Sequence, residues 1–120
     1  MNLLSWNCRG GGNSRTGHDL ATLVQSHSPK VVFLCETRQS AKKVSRLRSR
    51  LGLRGFCGIY SGGQGGGLAQ FWNDQLSVEI KEKKERFIDA NILDYSTDHF
   101  WHLNCVYGEP RTENIHRMWT

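Results

Sequence analysis

Two short apolar runs stand out in the first third of the chain, and each ends in a polar residue. The first covers residues 3–8 and contains Asn7, and the second, Val31 to Cys35, leads directly into Glu36. Short apolar runs bounded by loop-forming residues predict buried strands. A carboxylate at the exit of such a strand lies where open α/β sheets place their sites. We therefore predict that Asn7 and Glu36 are two walls of one metal and phosphate pocket.

A helical pattern separates the two runs. Leu20, Leu23 and Val24 are spaced as one apolar face, with Thr16 as a candidate N-cap. Ser28-Pro29 predicts the end of the helix, because the residue before proline disfavours helical backbone. Strand, helix and strand within about 35 residues predict a βαβ unit with parallel strands.

The next segment has the pattern of a second helix. Ser40 is its candidate N-cap, Val44, Leu47 and Leu51 form its buried side, and Gly52 is its candidate stop. Its remaining positions are rich in basic residues, so we expect a charged outer face.

The rest of the chain has patterns typical of antiparallel strands. We predict one hairpin, one alternating strand and a second hairpin, at residues 56–60 with 68–72, at 76–80, and at 87–95 with 100–107. A last helix, capped by Thr112, is predicted to reach Trp119 and Thr120. The fold class is therefore α/β (α+β), a mixed sheet covered by helices on one face. We expect this sequence to supply no cover for the other face.

The charge of the chain is unevenly distributed. The net charge is +5, and no acidic residue occurs between Thr37 and Asn73. The first half of this interval carries seven basic residues: Arg38, Lys42, Lys43, Arg46, Arg48, Arg50 and Arg54. Such a block indicates a polyanionic partner, and a solvated helix face is the alternative.

Composition excludes several classes of protein. The 120 residues suit one small domain, and no stretch approaches the ~18 apolar residues of a membrane span. Nothing in the sequence is typical of a signal peptide, so we expect an intracellular protein, nuclear or cytoplasmic, that is not secreted. The four cysteines are widely spaced, which favours reduced thiols over a zinc site.

The glycine-rich segment after the first run does not match the nucleotide-binding loops. A dinucleotide fingerprint would need a glycine where Arg15 stands. A P-loop beginning at Gly12 would need lysine and a hydroxyl where His18 and Asp19 stand. Both interpretations therefore fail.

Taken together, the motifs resemble those of a known superfamily. Residues 5–10 read Ser-Trp-Asn-Cys-Arg-Gly, residues 34–37 Leu-Cys-Glu-Thr, residues 66–69 Gly-Gly-Leu-Ala, and residues 104–107 Asn-Cys-Val-Tyr. In this order they resemble the endonuclease/exonuclease/phosphatase (DNase I-like) superfamily. The variant Trp-Asn-Cys-Arg-Gly is similar to the endonuclease domain of plant LINE-type retroelements. The resemblance implies a four-layer α/β sandwich, of which residues 1–120 would be the N-terminal half, a partial domain.

The resemblance also implies a function and a site. It implies a phosphodiester hydrolase acting on DNA rather than RNA, with Mg²⁺, or Mn²⁺ as an alternative, as its cofactor. Glu36 would be the metal carboxylate, Asn7 would orient the metal shell or the attacking water, and Tyr107 would hydrogen-bond the scissile phosphate. Each has a plainer alternative: an ion pair of Glu36 with Arg38, a local turn closed by Asn7, and packing of Tyr107.

Four arginines are candidates for substrate binding: Arg9, Arg38, Arg111 and Arg117. Arg9 stands where some members of the superfamily carry an acidic residue, so it cannot supply a second metal carboxylate. Arg111 and Arg117 would hold phosphate or stabilise the fold by salt bridges.

Two later motifs of the superfamily, Gly-Asp-x-Asn and Ser-Asp-His, do not occur in these 120 residues. We therefore expect the chain alone to be inactive, with the C-terminal half of the domain as its missing partner and a monomer as the complete form. We also expect poor solubility, because a half-sandwich would expose an apolar sheet face. The alternatives are a non-enzymatic basic nucleic-acid-binding module and a phosphatase of the same fold.

Overall fold

The computed structural model describes residues 2–8, 14–60, 66–107 and 118–119, with backbone alone at 14–16 and 118–119. Within these ranges the chain forms two four-stranded sheets and three helices. The elements are β1 (Leu3–Asn7), α1 (Ser14–His27), β2 (Val31–Cys35), α2 (Ala41–Val44), α3 (Leu47–Leu51), β3 (Gly55–Ile59), β4 (Leu68–Trp72), β5 (Leu76–Lys84), β6 (Phe87–Asp94), β7 (His99–Val106) and β8 (Met118–Trp119). No helix in the described part of the chain combines the length and the hydropathy that crossing a membrane requires.

The first sheet, sheet A, has the strand order β1-β2-β4-β3. β1 and β2 are parallel, so the predicted βαβ unit is confirmed. β4 runs antiparallel between β2 and β3, as the predicted hairpin requires. The register sets Asn7 opposite Cys35 at one end of the sheet and Leu3 opposite Val31 at the other.

The helices follow the predicted pattern with two corrections. α1 begins at Ser14, so the prediction that Thr16 caps it is wrong. The predicted second helix is divided into α2 and α3. Its two ends are confirmed: the Ser40 side chain accepts a hydrogen bond from the Lys43 backbone N–H, and Gly52 ends α3 in the left-handed conformation.

The second sheet, sheet B, is the antiparallel meander β5-β6-β7 with β8 at its edge. Alternation along β6 buries Ile88, Ala90 and Ile92 on one face. The predicted hairpin of residues 87–95 and 100–107 is confirmed as β6 and β7. The prediction that a last helix reaches Trp119 is wrong, because residues 118–119 form β8 against His102 and Leu103.

Both faces of sheet A are covered by this chain. One face packs under the helices through Leu20, Val32, Leu34 and Phe71. The other face contributes Val31, Phe33, Cys35 and Leu68 to a core shared with Ile88, Ile92 and Leu103 of sheet B. The expectation that this sequence supplies no cover is therefore wrong, because β5 to β7 form a second sheet instead of extending the first.

The outer face of sheet B is mostly polar. His102 places its Nδ1 atom 3.0 Å from Asn91 Oδ1 and its Nε2 atom 2.9 Å from Asp89 Oδ1. Four apolar side chains share this face, because Leu93 pairs with Phe100 and Phe87 with Val106, and Phe100 and Val106 are 59% and 39% exposed. The described residues thus form three layers, with the helices packed on sheet A and sheet A packed on sheet B.

Candidate functional site

The candidate site lies at the carboxyl ends of the two parallel strands. Asn7 is the last residue of β1, and Glu36 directly follows the last residue of β2. The parallel ladder continues one step further, since the Cys8 N–H donates to the Cys35 carbonyl over 2.9 Å. The ends of β1 and β2 are thereby held side by side, and the side chains of Asn7 and Glu36 meet.

Glu36 is the centre of the cluster. Its Oε2 atom accepts a hydrogen bond from Asn7 Nδ2 over 2.6 Å and another from the Tyr107 hydroxyl over 3.1 Å. The side chain is 16% exposed, so the carboxylate is held but still reachable from solvent. Three of the predicted site residues therefore come together, although they are 29 and 71 positions apart in the sequence.

Arg38 contacts the other oxygen of the same carboxylate. Its Nη2 atom lies 3.2 Å from Glu36 Oε1, and its side chain is 48% exposed. The ion pair that the sequence offered as an alternative is thus present together with the Asn7 and Tyr107 contacts. Because the Arg38 side chain is about half exposed, solvent screens this pair and reduces its contribution to stability.

The backbone that carries Glu36 has an unusual conformation. Glu36 and Arg38 have φ values of 54° and 51°, in the left-handed region that residues other than glycine rarely adopt. Two hydrogen bonds fix the segment: the Thr37 N–H donates to the Gly67 carbonyl, and the Arg38 N–H to the Gly66 carbonyl. Strained backbone held in this way is typical of functional sites.

The absence of a side chain at Gly67 lets the segment of residues 66–67 pack closely against Thr37 and Arg38. The φ of Gly67 is 107°, and a Cβ atom at this position would collide with the Thr37 side chain and approach the Arg38 backbone nitrogen to 2.8 Å. Gly66-Gly67 belongs to one of the motifs on which the resemblance rests. The sequence did not predict that these glycines accept hydrogen bonds from the segment that carries Glu36. The sequence signal was a pair of glycines directly before a buried strand.

The protonation of the neighbouring groups limits their chemistry. Burial, and then the hydrogen bond to Glu36, raise the pKa of Tyr107 above its ordinary value, so the phenol stays a hydrogen-bond donor. Burial raises the pKa of Cys8 to about 12 and that of Cys35 to about 11. These raised pKa values keep both thiols protonated at neutral pH and lower their reactivity.

The donor set fits a magnesium ion better than a softer metal. Glu36 and Asn7 provide carboxylate and amide oxygens, the type of ligand that Mg²⁺ prefers. In the part of the chain that is described, no three His, Cys, Asp or Glu side chains lie close enough to hold a metal ion. A site with one carboxylate still suits Mg²⁺, which usually retains several water ligands.

The other predicted arginines lie outside the described residues. Arg9, Arg111 and Arg117 fall in the ranges 9–13 and 108–117. Their roles in binding substrate stay predictions, as do the catalytic and metal-binding roles of Asn7, Glu36 and Tyr107.

Two facing sheets with helices packed on one of them, and a parallel pair that opens the chain, are consistent with the fold of nuclease- and phosphatase-type hydrolases. A model of the Endonuclease/Exonuclease/phosphatase family matches residues 4–113, and the chain belongs to this family. A comparison with curated proteins finds no match.

A solved structure, the crystal structure of AP endonuclease LMAP from Leishmania major, has the same fold. The TM-score is 0.61 at 12% sequence identity, over 88% of this chain and 39% of that one. At this identity the likeness concerns the fold alone. The chain thus spans well under half the length of this structural relative.

Proposed function

We propose that this chain carries the N-terminal part of a Mg²⁺-dependent phosphodiester hydrolase domain that acts on DNA, with Mn²⁺ as an alternative metal. The observation that carries the proposal is the convergence of Asn7 and Tyr107 on one carboxylate oxygen of Glu36. Family membership supports the reaction class, and the oxygen donors support the choice of metal.

Each residue of the cluster has a role in this proposal. Glu36 would hold the cation, which when bound neutralises charge on the phosphoryl oxygens. Asn7 holds the carboxylate in one orientation from the neighbouring strand. Tyr107, which keeps its proton because of its raised pKa, can donate to a phosphate oxygen. Arg38 offers a guanidinium that can leave Glu36 for the substrate backbone.

We also propose that the site is incomplete in these 120 residues. The groups that Gly-Asp-x-Asn and Ser-Asp-His would supply do not occur in the sequence. General-base and electrostatic contributions are often worth ~10²–10³ in rate each, so little hydrolysis is expected from the chain alone. The similarity of residues 6–10 to plant LINE-type sequences supports a retroelement origin.

Metal binding tests the proposal without requiring turnover. We expect Glu36→Gln to weaken Mn²⁺ binding by at least about tenfold, because a neutral amide replaces the carboxylate that the described residues place at the site. Water-proton relaxation measures the binding. Mg²⁺ should displace the bound Mn²⁺ in the unchanged chain. Plasmid nicking measured in parallel should be weak and should disappear in the variant.

Asp19→Asn is the matched control, since Asp19 is an exposed carboxylate on α1. It removes the same charge and should leave Mn²⁺ binding unchanged. If Glu36→Gln keeps its circular-dichroism spectrum and binds Mn²⁺ as tightly as the unchanged chain, Glu36 is not the ligand and the proposal fails.

A further inference from the structure

A second cationic feature lies on the helical side of the molecule. A surface pocket of about 590 Å³ is lined by Ser45, Arg46, Arg48, Ser49, Arg54 and Asp74, among other residues. Three arginines and two serines of the described residues thus line one concavity, together with one acidic residue, Asp74. The basic block predicted from the sequence is therefore partly gathered into a pocket.

This pocket lies at the opposite end of sheet A from Glu36. Arg54 directly precedes β3, whose first residue, Gly55, is in register with Trp72 of β4. Trp72 is in register with Val31, whereas Glu36 follows the other end of β2. The four residue steps from Val31 to Cys35 span about 13 Å. The pocket is therefore separate from the candidate active site.

The charge of the pocket is weakly neutralised by the protein itself. The Asp74 carboxylate lies 3.8 Å from Arg54 Nε, and the Arg54 side chain is 87% exposed. Such a pair is screened by solvent and contributes little. Arg54 is consequently available to an anion that can compete with Asp74.

Arg48 is positioned before any ligand arrives. Its Nε donates to the Ser45 carbonyl over 3.1 Å, and its Nη1 donates to the Arg54 carbonyl over 3.5 Å. Holding a guanidinium in this way reduces the conformational entropy that binding must remove. An oriented arginine beside hydroxyl groups is the kind of donor set that contacts phosphate oxygens.

Basic side chains continue from the pocket toward the other end of the sheet. Lys42 and Lys43 lie on α2 and are exposed. α2 packs on β3 near its far end, since a Cβ atom at Gly58 would lie 3.2 Å from Ala41 Cβ. The positive charge therefore extends along residues 42–54 instead of surrounding one point. An extended distribution of this kind suits a chain of phosphates better than a single ion.

From these observations we infer that the arginine pocket is a second phosphate-binding site, which holds the backbone of a nucleic-acid strand at a distance from Glu36. The inference does not require the chain to hydrolyse its ligand or to bind a metal. It assigns Arg46, Arg48 and Arg54 to contacts with backbone phosphates, which carry affinity but no sequence information.

Ser49→Glu tests the inference by placing a carboxylate in the pocket while leaving the arginines and their contacts in place. We expect the affinity for a labelled single strand of roughly 15 nucleotides to fall about five- to tenfold at low salt. The slope of log K against log salt should become shallower by about 0.7 for each phosphate that the protein no longer neutralises. Fluorescence anisotropy at several salt concentrations measures both.

Two further variants make the result specific. Ser77→Glu puts the same charge on an exposed position of β5 in sheet B and should change the affinity by less than about twofold. Asp74→Asn removes the competing carboxylate and should strengthen binding. Equal losses from the two glutamate variants, or weaker binding by Asp74→Asn, would overturn the inference.

Inorganic phosphate distinguishes a backbone site from a site for one ion. We expect phosphate to compete only at concentrations far above those of the oligonucleotide. If phosphate alone binds the pocket as tightly as the strand does, the backbone assignment is wrong. Ser49→Glu should reduce strand affinity by the same factor in the unchanged chain and in the Glu36→Gln variant. The proposals for the pocket and for the metal site can therefore be refuted separately.

Discussion

At the scale of single residues, the two oxygens of Glu36 are used differently. Oε2 faces two neutral donors, Asn7 and Tyr107, while Oε1 faces the charged Arg38. Neutral donors orient a carboxylate without removing its charge, whereas a guanidinium competes directly with a cation. If Glu36 holds the proposed metal, Arg38 is a direct competitor for its carboxylate.

Replacing Arg38 tests this competition. We expect Arg38→Gln to tighten Mn²⁺ binding by up to about fivefold, the equivalent of an exposed ion pair worth at most about 1 kcal/mol. The gain should shrink at high salt, because the pair is partly exposed. Titration of Mn²⁺ at two ionic strengths measures the effect.

Arg54→Gln is the control for this prediction. It removes the same charge at the opposite end of sheet A, so its effect on Mn²⁺ binding should be negligible. A tightening of equal size in both variants would mean that net charge, and not the Arg38 contact, controls metal affinity.

At the scale of elements, the start of β4 supports the loop that carries Glu36. Gly67 lies directly before β4, and its carbonyl accepts from Thr37. We expect Gly67→Ala to destabilise the fold by more than about 2 kcal/mol and to weaken Mn²⁺ binding, because the added methyl group displaces Thr37. Urea denaturation and Mn²⁺ titration measure the two effects.

Gly52→Ala distinguishes backbone strain from steric collision as the cause of the destabilisation expected for Gly67→Ala. Gly52 also has a positive φ, 70°, but a Cβ atom there would meet nothing within 4 Å. We expect it to cost about 1 kcal/mol from backbone strain alone, with metal binding unchanged. Equal effects of the two substitutions would show that Gly67 acts only through its own conformation.

The sequence predicted these elements better than their arrangement. A βαβ pattern was enough to place Asn7 beside Glu36, because parallel strands bring their carboxyl ends to one edge. It could not show that residues 76–106 form a second sheet, since alternating strands have the same pattern in either arrangement. The left-handed conformation of Glu36 was also unpredictable, because it depends on hydrogen bonds to a segment about 30 residues away.

At the scale of the whole molecule, an ion pair joins the ends of the two sheets. Lys30 precedes β2 of sheet A, and its Nζ lies 2.7 Å from Asp94 Oδ2 at the end of β6 in sheet B. The Ser96 hydroxyl donates to the other carboxylate oxygen, and Asp94 is 1% exposed. The hydrogen bonds from Lys30 and Ser96 lower the pKa of Asp94 to about 2.

This pKa predicts how stability depends on pH. Because the pKa is lower in the folded chain than in the unfolded one, the stabilisation is complete above about pH 5 and is lost as the pH falls toward 2. It amounts to about 2 kcal/mol. We expect Asp94→Asn to lose this part of the pH dependence and to be less stable at neutral pH, as measured by urea denaturation across the acid range.

Asp98→Asn serves as the control because Asp98 is exposed in the same turn and asparagine tolerates its φ of 58°. It should keep the pH dependence of the unchanged chain. A parallel loss of acid sensitivity in both variants would assign the effect to the turn and not to the pair with Lys30.

The contacts of Glu36 also determine when the site can form. The β3-β4 hairpin and the β5-β6-β7 meander join strands that are neighbours in sequence, and such local contacts form quickly. The contacts around Glu36 are long-range instead: its segment bonds Gly66 and Gly67, and its side chain bonds Tyr107, which is 71 residues away. During synthesis the carboxylate therefore emerges long before its last partner exists. A metal that binds only the assembled cluster would bind after the long-range contacts have formed. It would therefore stabilise the folded state and not speed its formation.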